Sequence, residues 1–301
     1  MDTTTEQLYE AIADNDLMKS KKFLKIVLDA NNKKCDAYVK NRILKKINTP
    51  SLNLIEVPFN IKGFLQVENV ELTFNEKRYV TTPKDEEMIN QIINTFKVND
   101  KLIEYGINYL NSILLYGVPG CGKTMLGRYI AYKLNMPFAY LNFSNLITSL
   151  LGKTGENIQK VFDYISTMKC VFMLDEVDAI GLERGKDSTG ELSRVVINLM
   201  QALDKFENDS IIIGATNRAD TIDKALLRRF SLKYEMQLPN EEVQYKLVES
   251  FLNTLPNSKY TDAEILSFLS GIQEKTCANI TNALTNRVVN CIIENKEITL
   301  Y

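Results

Sequence analysis

The sequence predicts an α/β fold: a parallel sheet sandwiched by helices, followed by a small all-helical unit and preceded by a helical N-terminal region. Two observations predict the sheet. Apolar runs recur at Ile113-Leu114-Leu115-Tyr116, Phe138-Ala139-Tyr140-Leu141, Val171-Phe172-Met173-Leu174 and Ile211-Ile212-Ile213-Gly214, with a shorter one at Tyr234-Glu235-Met236. They lack a polar face, as strands covered by helices on both sides do, and helical segments separate them. A third observation predicts the helical unit: after Pro239 the strand pattern stops, and helical spacing follows at about 241–254, 261–270 and 276–295.

Taken in order, residues 1–48 read as a helical, partner-binding region. Leu8 and Ile12, then Phe23, Leu24, Val27 and Leu28, and then Tyr38, Ile43, Leu44 and Ile47 recur at three- and four-residue steps. Residues 16–48 also gather ten cations against three carboxylates, either the solvated face of a helical hairpin or a contact surface for a partner or nucleic acid. Residues 49–84 read as a linker holding short extended pieces, because Pro50 and Pro58 bracket an irregular passage and alternation follows at 64–67 and 70–74. The larger α/β unit then spans 85–239 and the helical unit 240–301.

The 301 residues are 45% hydrophobic and 25% charged, enough for one or two substantial cores, and the net charge of −2 argues against indiscriminate nucleic-acid binding. The chain has no histidine, so it cannot by itself build a Ser-His-Asp triad, a Cys-His pair or a His-ligated zinc site. Its five cysteines are scattered without a C-x-x-C pair, which fits a reducing cytoplasm. No signal-like N-terminus or apolar stretch of membrane-spanning length is present, so a cytoplasmic protein without membrane partners is expected.

Gly117-Val118-Pro119-Gly120-Cys121-Gly122-Lys123-Thr124 matches G-x-x-x-x-G-K-[ST] between a predicted strand and a helix starting near Thr124. The glycines let backbone amides turn toward a phosphate, and the helix N-terminus adds positive potential. Lys123 would reach the β- and γ-phosphates, the Thr124 hydroxyl would ligate Mg²⁺, and Met125 continues the binding segment. Downstream, Val171–Leu174 ends in Asp175-Glu176, placing two carboxylates at the sheet edge where open α/β sheets bind ligands. Asp175 would hold the Mg²⁺ shell, and Glu176 would orient and deprotonate the attacking water. A nucleoside triphosphate with Mg²⁺ is therefore the expected cofactor pair, and hydrolysis of its terminal phosphate the expected chemistry.

With these motifs in order, residues from about 85 to 290 resemble the AAA branch of the AAA+ ATPases. Asp175–Ile180 resembles the family's extended Walker B run, with Asp178 in a structural or inter-subunit role. Gly214-Ala215-Thr216-Asn217-Arg218 resembles sensor 1, which implies that Asn217 holds the lytic water or γ-phosphate. Asp223–Phe230 resembles the region that supplies arginine fingers. The family spaces two arginines three apart around a glycine, whereas Arg228 and Arg229 are adjacent here and Ser231 stands where the second would fall. Arg228 is the first candidate and Arg229 the alternative, with Arg194 a further candidate to face a neighbouring subunit. A finger acting in trans implies a homo-oligomer, as a hexameric ring when active.

Two cysteines also fall in this resemblance. Cys121 in the phosphate loop reads as a packing substitute or a redox-sensitive thiol. Thr276-Cys277-Ala278 falls where the family closes the adenine pocket, with Cys277 in place of a glycine and Ala278 beside the base. Leu150-Leu151-Gly152 falls at the pore loop, where Leu150 replaces the usual aromatic residue. The resemblance implies an ATPase that remodels or unfolds a protein client as a ring. An alternative is a nucleotide-gated switch or assembly factor controlling an effector such as a protease without threading, and a third reading is a DNA-loading ATPase.

Overall fold

The computed structural model describes residues 3–13, 20, 23–24, 26–28, 55–107, 109–149, 154–180, 191–206, 210–256, 258–294 and 296–300. The chain divides into two units, residues 1–55 and 56–301. In the first, helix α1 (Thr3–Ala13) and the helical residues 20, 23, 24 and 26–28 agree with the predicted spacing, and Leu8 and Leu28 are buried. Most of the basic stretch lies outside the described residues.

The second unit is built on a six-stranded sheet. Its strands are β1 (Leu65–Glu68), β2 (Ser112–Tyr116), β3 (Phe138–Asn142), β4 (Val171–Asp175), β5 (Ile211–Thr216) and β6 (Leu232–Glu235), in the spatial order β1-β3-β4-β5-β2-β6. All neighbours run parallel except β1, which pairs antiparallel with β3 (Leu65 opposite Leu141). The central strands are buried along their length, as expected for strands covered on both faces. β6 instead alternates half-buried and exposed residues at the sheet edge and begins two residues before the predicted run, because its pattern is that of a one-sided edge strand.

The residues expected as a linker are part of this body. The piece expected at 64–67 is extended, as β1, and joins the sheet rather than a linker, but 70–74 is not extended: Val70–Thr73 forms the short helix α2. Val70 and Phe74 are buried one turn apart while Leu72 between them is half-exposed, so the true period is four, and the Asn69 side chain caps the turn by accepting from the Glu71 amide. Helix α3 (Pro83–Lys97) starts where Pro occupies a first-turn position and Thr82 and Asp85 form a reciprocal capping box. α4 (Asn99–Glu104) follows, then α5 (Lys123–Leu134) after β2, α6 (Phe143–Ser149) and α7 (Thr154–Ile165) between β3 and β4, α8 (Glu191–Asp204) before β5, and α9 (Lys224–Leu227) before β6.

Beyond β6 stand α10 (Glu241–Asn253), α11 (Asp262–Ser270) and α12 (Cys277–Ile293), within a residue or two of the helical patterns in the sequence. They gather their own core around Val248, Phe251, Leu252, Ile265, Leu269, Ile280 and Leu284. The sheet core is a separate cluster that includes Ile113, Leu115, Leu126, Met173, Ile213 and Met236. Two adjacent cores leave a cleft at the carboxyl ends of β2, β4 and β5, where α/β sheets place ligands.

Candidate functional site

The cleft is a cavity of about 1300 Å³, whose walls include Tyr79, Cys121, Lys123, Asp175, Asn217 and Ala278. Its floor is the loop after β2. Gly117 sits at φ +146°, and a Cβ there would lie 2.2 Å from the Met236 carbonyl oxygen, so no other residue fits. That approach follows from the hydrogen bond of the Met236 amide to the Tyr116 carbonyl at 2.7 Å, which continues the β2–β6 pairing. Gly120, at φ +77°, presses against the lid, where an added Cβ would lie 3.0 Å from Thr276 Oγ1. Its carbonyl accepts from the Ala278 amide at 3.2 Å, so the phosphate loop and the first turn of α12 are joined through their backbones.

Lys123 opens α5 and is buried. Its Nζ donates to Gly117 O (2.8 Å), Val118 O (3.0 Å) and Asn217 Oδ1 (2.8 Å), and lies 3.6 Å from Cys121 Sγ. The Lys123–Asn217 bond spans from the end of β2 to the end of β5. Val118 and Met125 are exposed at the rim, and Thr124 is half-buried beside them.

At the end of β4 the Asp175 carboxylate is held on both oxygens: Oδ2 accepts from Tyr140 Oη at 2.8 Å and Oδ1 from the Glu176 amide at 2.9 Å. Burial raises the Asp175 carboxyl above its ordinary pKa of 3.8, opposed by these two hydrogen bonds and by the Lys123 charge. Burial likewise pushes Tyr140 up to about 12, which keeps it a donor. Glu176 adopts φ +56°, a left-handed conformation costing a non-glycine residue about 1–2 kcal/mol. Such outliers gather where function fixes a side-chain direction. Asp178 accepts from the Thr216 hydroxyl at 2.8 Å and thereby ties β4 to β5 within the chain.

This donor set suits Mg²⁺. Among the described residues no group of three or more Cys, Asp or Glu side chains could cage a metal, and the cleft offers hard oxygens from Asp175, Glu176 and Thr124. Mg²⁺ is characteristically held by one or two carboxylates plus phosphates and waters, and a desolvated carboxylate such as Asp175 favours a nearby cation.

The two adjacent arginines separate in space. Arg229 forms a two-pronged ion pair with Asp204, Nε to Oδ1 at 2.8 Å and Nη2 to Oδ2 at 2.9 Å, which lowers the Asp204 pKa. Arg228, at the end of α9, is exposed and forms no ion pair with another described residue. Ser231 is exposed and tied to the start of β2: its Oγ donates to Ser112 O at 2.6 Å, and Ser112 Oγ donates to the Arg229 carbonyl at 2.9 Å. Arg194 is exposed on α8. Leu150, Leu151 and Gly152 lie outside the described residues.

Sequence reasoning missed Tyr140 and Arg78. Tyr140 stands in an apolar run, where the tyrosine hydroxyl was the available signal. Arg78 stacks 4.4 Å over the Phe251 ring and its Nε donates to Thr254 Oγ1 at 2.6 Å, fastening the segment before α3 to lid helix α10. Nothing local in the sequence marks that contact.

Residues 113–238 match the family described as ATPase family associated with various cellular activities (AAA). The chain is 32% identical to an uncharacterized AAA family ATPase of Sinorhizobium fredii over 58% of this chain and 53% of that protein. It is 31% identical to the ATP-dependent zinc metalloprotease FtsH of Parabacteroides distasonis, over 70% and 32%. Identity to the proteasome-activating nucleotidase of Methanoregula boonei is 32%, over 69% and 51%. The aligned part of the chain thus spans about half of these relatives or less. From the phosphate-loop motif, the acidic end of β4, the strand order that brings them together and the match across them, residues 113–238 are an AAA ATPase domain.

Proposed function

We propose that this protein binds ATP with Mg²⁺ in the cleft, hydrolyses it to ADP and phosphate within a homo-oligomeric ring, and uses the cycle to remodel or unfold a protein client. The observation that carries the reading is the Lys123 cluster. A single ammonium is bonded to the phosphate loop and to Asn217 at the end of β5, with the β4 carboxylates in the same cleft.

Mg²⁺ would be held by Asp175 and Thr124 and would neutralise phosphate charge. In this reading the loop amides and Lys123 bind the β- and γ-phosphates. Glu176 takes the proton of the attacking water, Asn217 orients that water or the γ-phosphate, and Arg228 of one subunit faces the nucleotide of the next. Phosphoryl transfer relies on positioning and charge stabilisation, which is what such a constellation offers. Glu176→Gln should retain ATP binding and lose turnover by about 10²–10⁴-fold, read by nucleotide titration and phosphate release. Unchanged turnover would remove Glu176 as the base.

The protein-client part is supported by relatives whose names join ATP to proteolysis or to proteasome activation. A nucleotide-gated switch for a fixed effector is the second reading. It is favoured by Leu150 at the pore-loop position, since an aliphatic side chain offers less contact area and no flat face for gripping a strand. Among the described residues no helix is long and apolar enough to cross a membrane.

A further inference from the structure

Two cysteines that the hydrolytic chemistry leaves unused flank the join between phosphate loop and lid. Cys121 follows Gly120 and Cys277 precedes Ala278, and the Ala278 amide donates to the Gly120 carbonyl at 3.2 Å. In a peptide the carbonyl oxygen lies on the same side as the next Cα, and the amide hydrogen on the same side as the preceding one. That one bond therefore sets the Cα atoms of Cys121 and Cys277 about 4.5–7 Å apart. Disulfides span about 4.4–6.8 Å between Cα atoms. Both thiols are free and both line the nucleotide cavity, and the neighbouring Cys121 adds to the burial that pushes Cys277 up to about 11.

We propose that Cys121 and Cys277 are an oxidisable pair whose disulfide closes the nucleotide cleft by tying the phosphate loop to the lid. The inference rests on the reading of Gly117–Thr124 as a phosphate loop, but the cross-link itself does not. The oxidant is a small peroxide, which the cavity is wide enough to admit. The Cys121 sulfur, beside the Lys123 ammonium, attacks one peroxide oxygen; the O–O bond breaks, a sulfenic acid forms and one water leaves. The Cys277 sulfur then attacks the sulfenyl sulfur, the S–S bond forms and a second water leaves. Two thiols are oxidised and one peroxide is reduced to two waters. The product holds the loop in the arrangement in which Lys123 is bonded to its own loop carbonyls and Asn217, so ATP must compete against a fixed geometry. Because burial raises the Cys277 thiol, the resolving step accelerates as pH rises from 7 to 9.

The test treats the full chain with hydrogen peroxide at pH 8, blocks the remaining thiols, and analyses non-reduced peptides by mass spectrometry beside a fluorescent-ATP titration. Expected are a Cys121–Cys277 linked peptide 2 Da lighter than the two thiols, at least about a tenfold loss of ATP affinity, and recovery of both with dithiothreitol. In Cys121→Ala protein, which cannot form the sulfenic acid, peroxide should leave ATP affinity where it stood before treatment. Linkage absent while Cys121 is oxidised to higher acids would overturn the proposal, as would linkage with unchanged ATP affinity. If the untreated protein binds no ATP while the linked peptide forms, the phosphate-loop reading fails and the pairing stands.

Discussion

Tyr140→Phe tests how the chain prepares the carboxylate proposed to hold Mg²⁺. The substitution deletes one hydroxyl from a half-buried ring and leaves the strand packing of β3 in place. It removes the 2.8 Å hydrogen bond to Asp175 Oδ2 and leaves the carboxylate with the Glu176 amide alone. A hydrogen bond to a charged group is worth about 1.5–3 kcal/mol, and partial exposure of this one selects the lower end, about a factor of ten. Outer partners of metal ligands typically tune affinity by about 10–100-fold, in agreement. The Mg²⁺ concentration for half-maximal ATP hydrolysis should therefore rise about tenfold, whereas ATP binding in EDTA should stay within about twofold. The same bond lowers the Asp175 pKa against burial, so its loss moves the acid limb of Mg²⁺-dependent activity to higher pH. Unchanged Mg²⁺ dependence, or equal weakening of ATP binding with and without Mg²⁺, would refute the reasoning.

Three further outcomes follow from the geometry. Asp175 titrates above its ordinary 3.8, so its favourable contribution to folding is present below that value and lost as pH rises through the raised one. Asp175→Asn should accordingly narrow the stability difference between pH 4 and pH 7 in metal-free thermal denaturation, and an unchanged difference would show that burial does not strain this carboxylate. Arg229→Ala should cost about 1 kcal/mol or less in stability, as for other exposed ion pairs, and leave a larger share of hydrolysis than Arg228→Ala; the reverse order in steady-state rates would exchange their roles. Leu150→Ala should impair client processing more than basal hydrolysis if a chain is threaded, while loss of neither favours the switch.

What the sequence made legible was local. The loop from Gly117 to Thr124 and the strand-end pair Asp175-Glu176 are short contiguous patterns, and buried parallel strands announce themselves as unbroken apolar runs. Legibility failed where a short pattern fits two periods, as in Val70–Phe74, whose apolar spacing serves a strand or one helical turn until burial chooses. It also failed where partners are distant in the chain. Asp204, 25 residues before Arg229, is what separates the two arginines, and Ser112, 119 residues before Ser231, is what holds that serine against β2. Tyr140 reaches Asp175 only because parallel pairing sets β3 beside β4, a register that no window of sequence contains.

The central claim is that one subunit clasps the nucleotide while a neighbour supplies the cation that completes the site. Mixing Arg228→Ala with Lys123→Ala subunits tests it most directly, each variant being inactive alone. Random assembly at equal ratio should restore hydrolysis at about a quarter of the interfaces, where an intact loop meets an intact arginine. No recovery at any ratio, with both variants folded and assembled, would contradict the account.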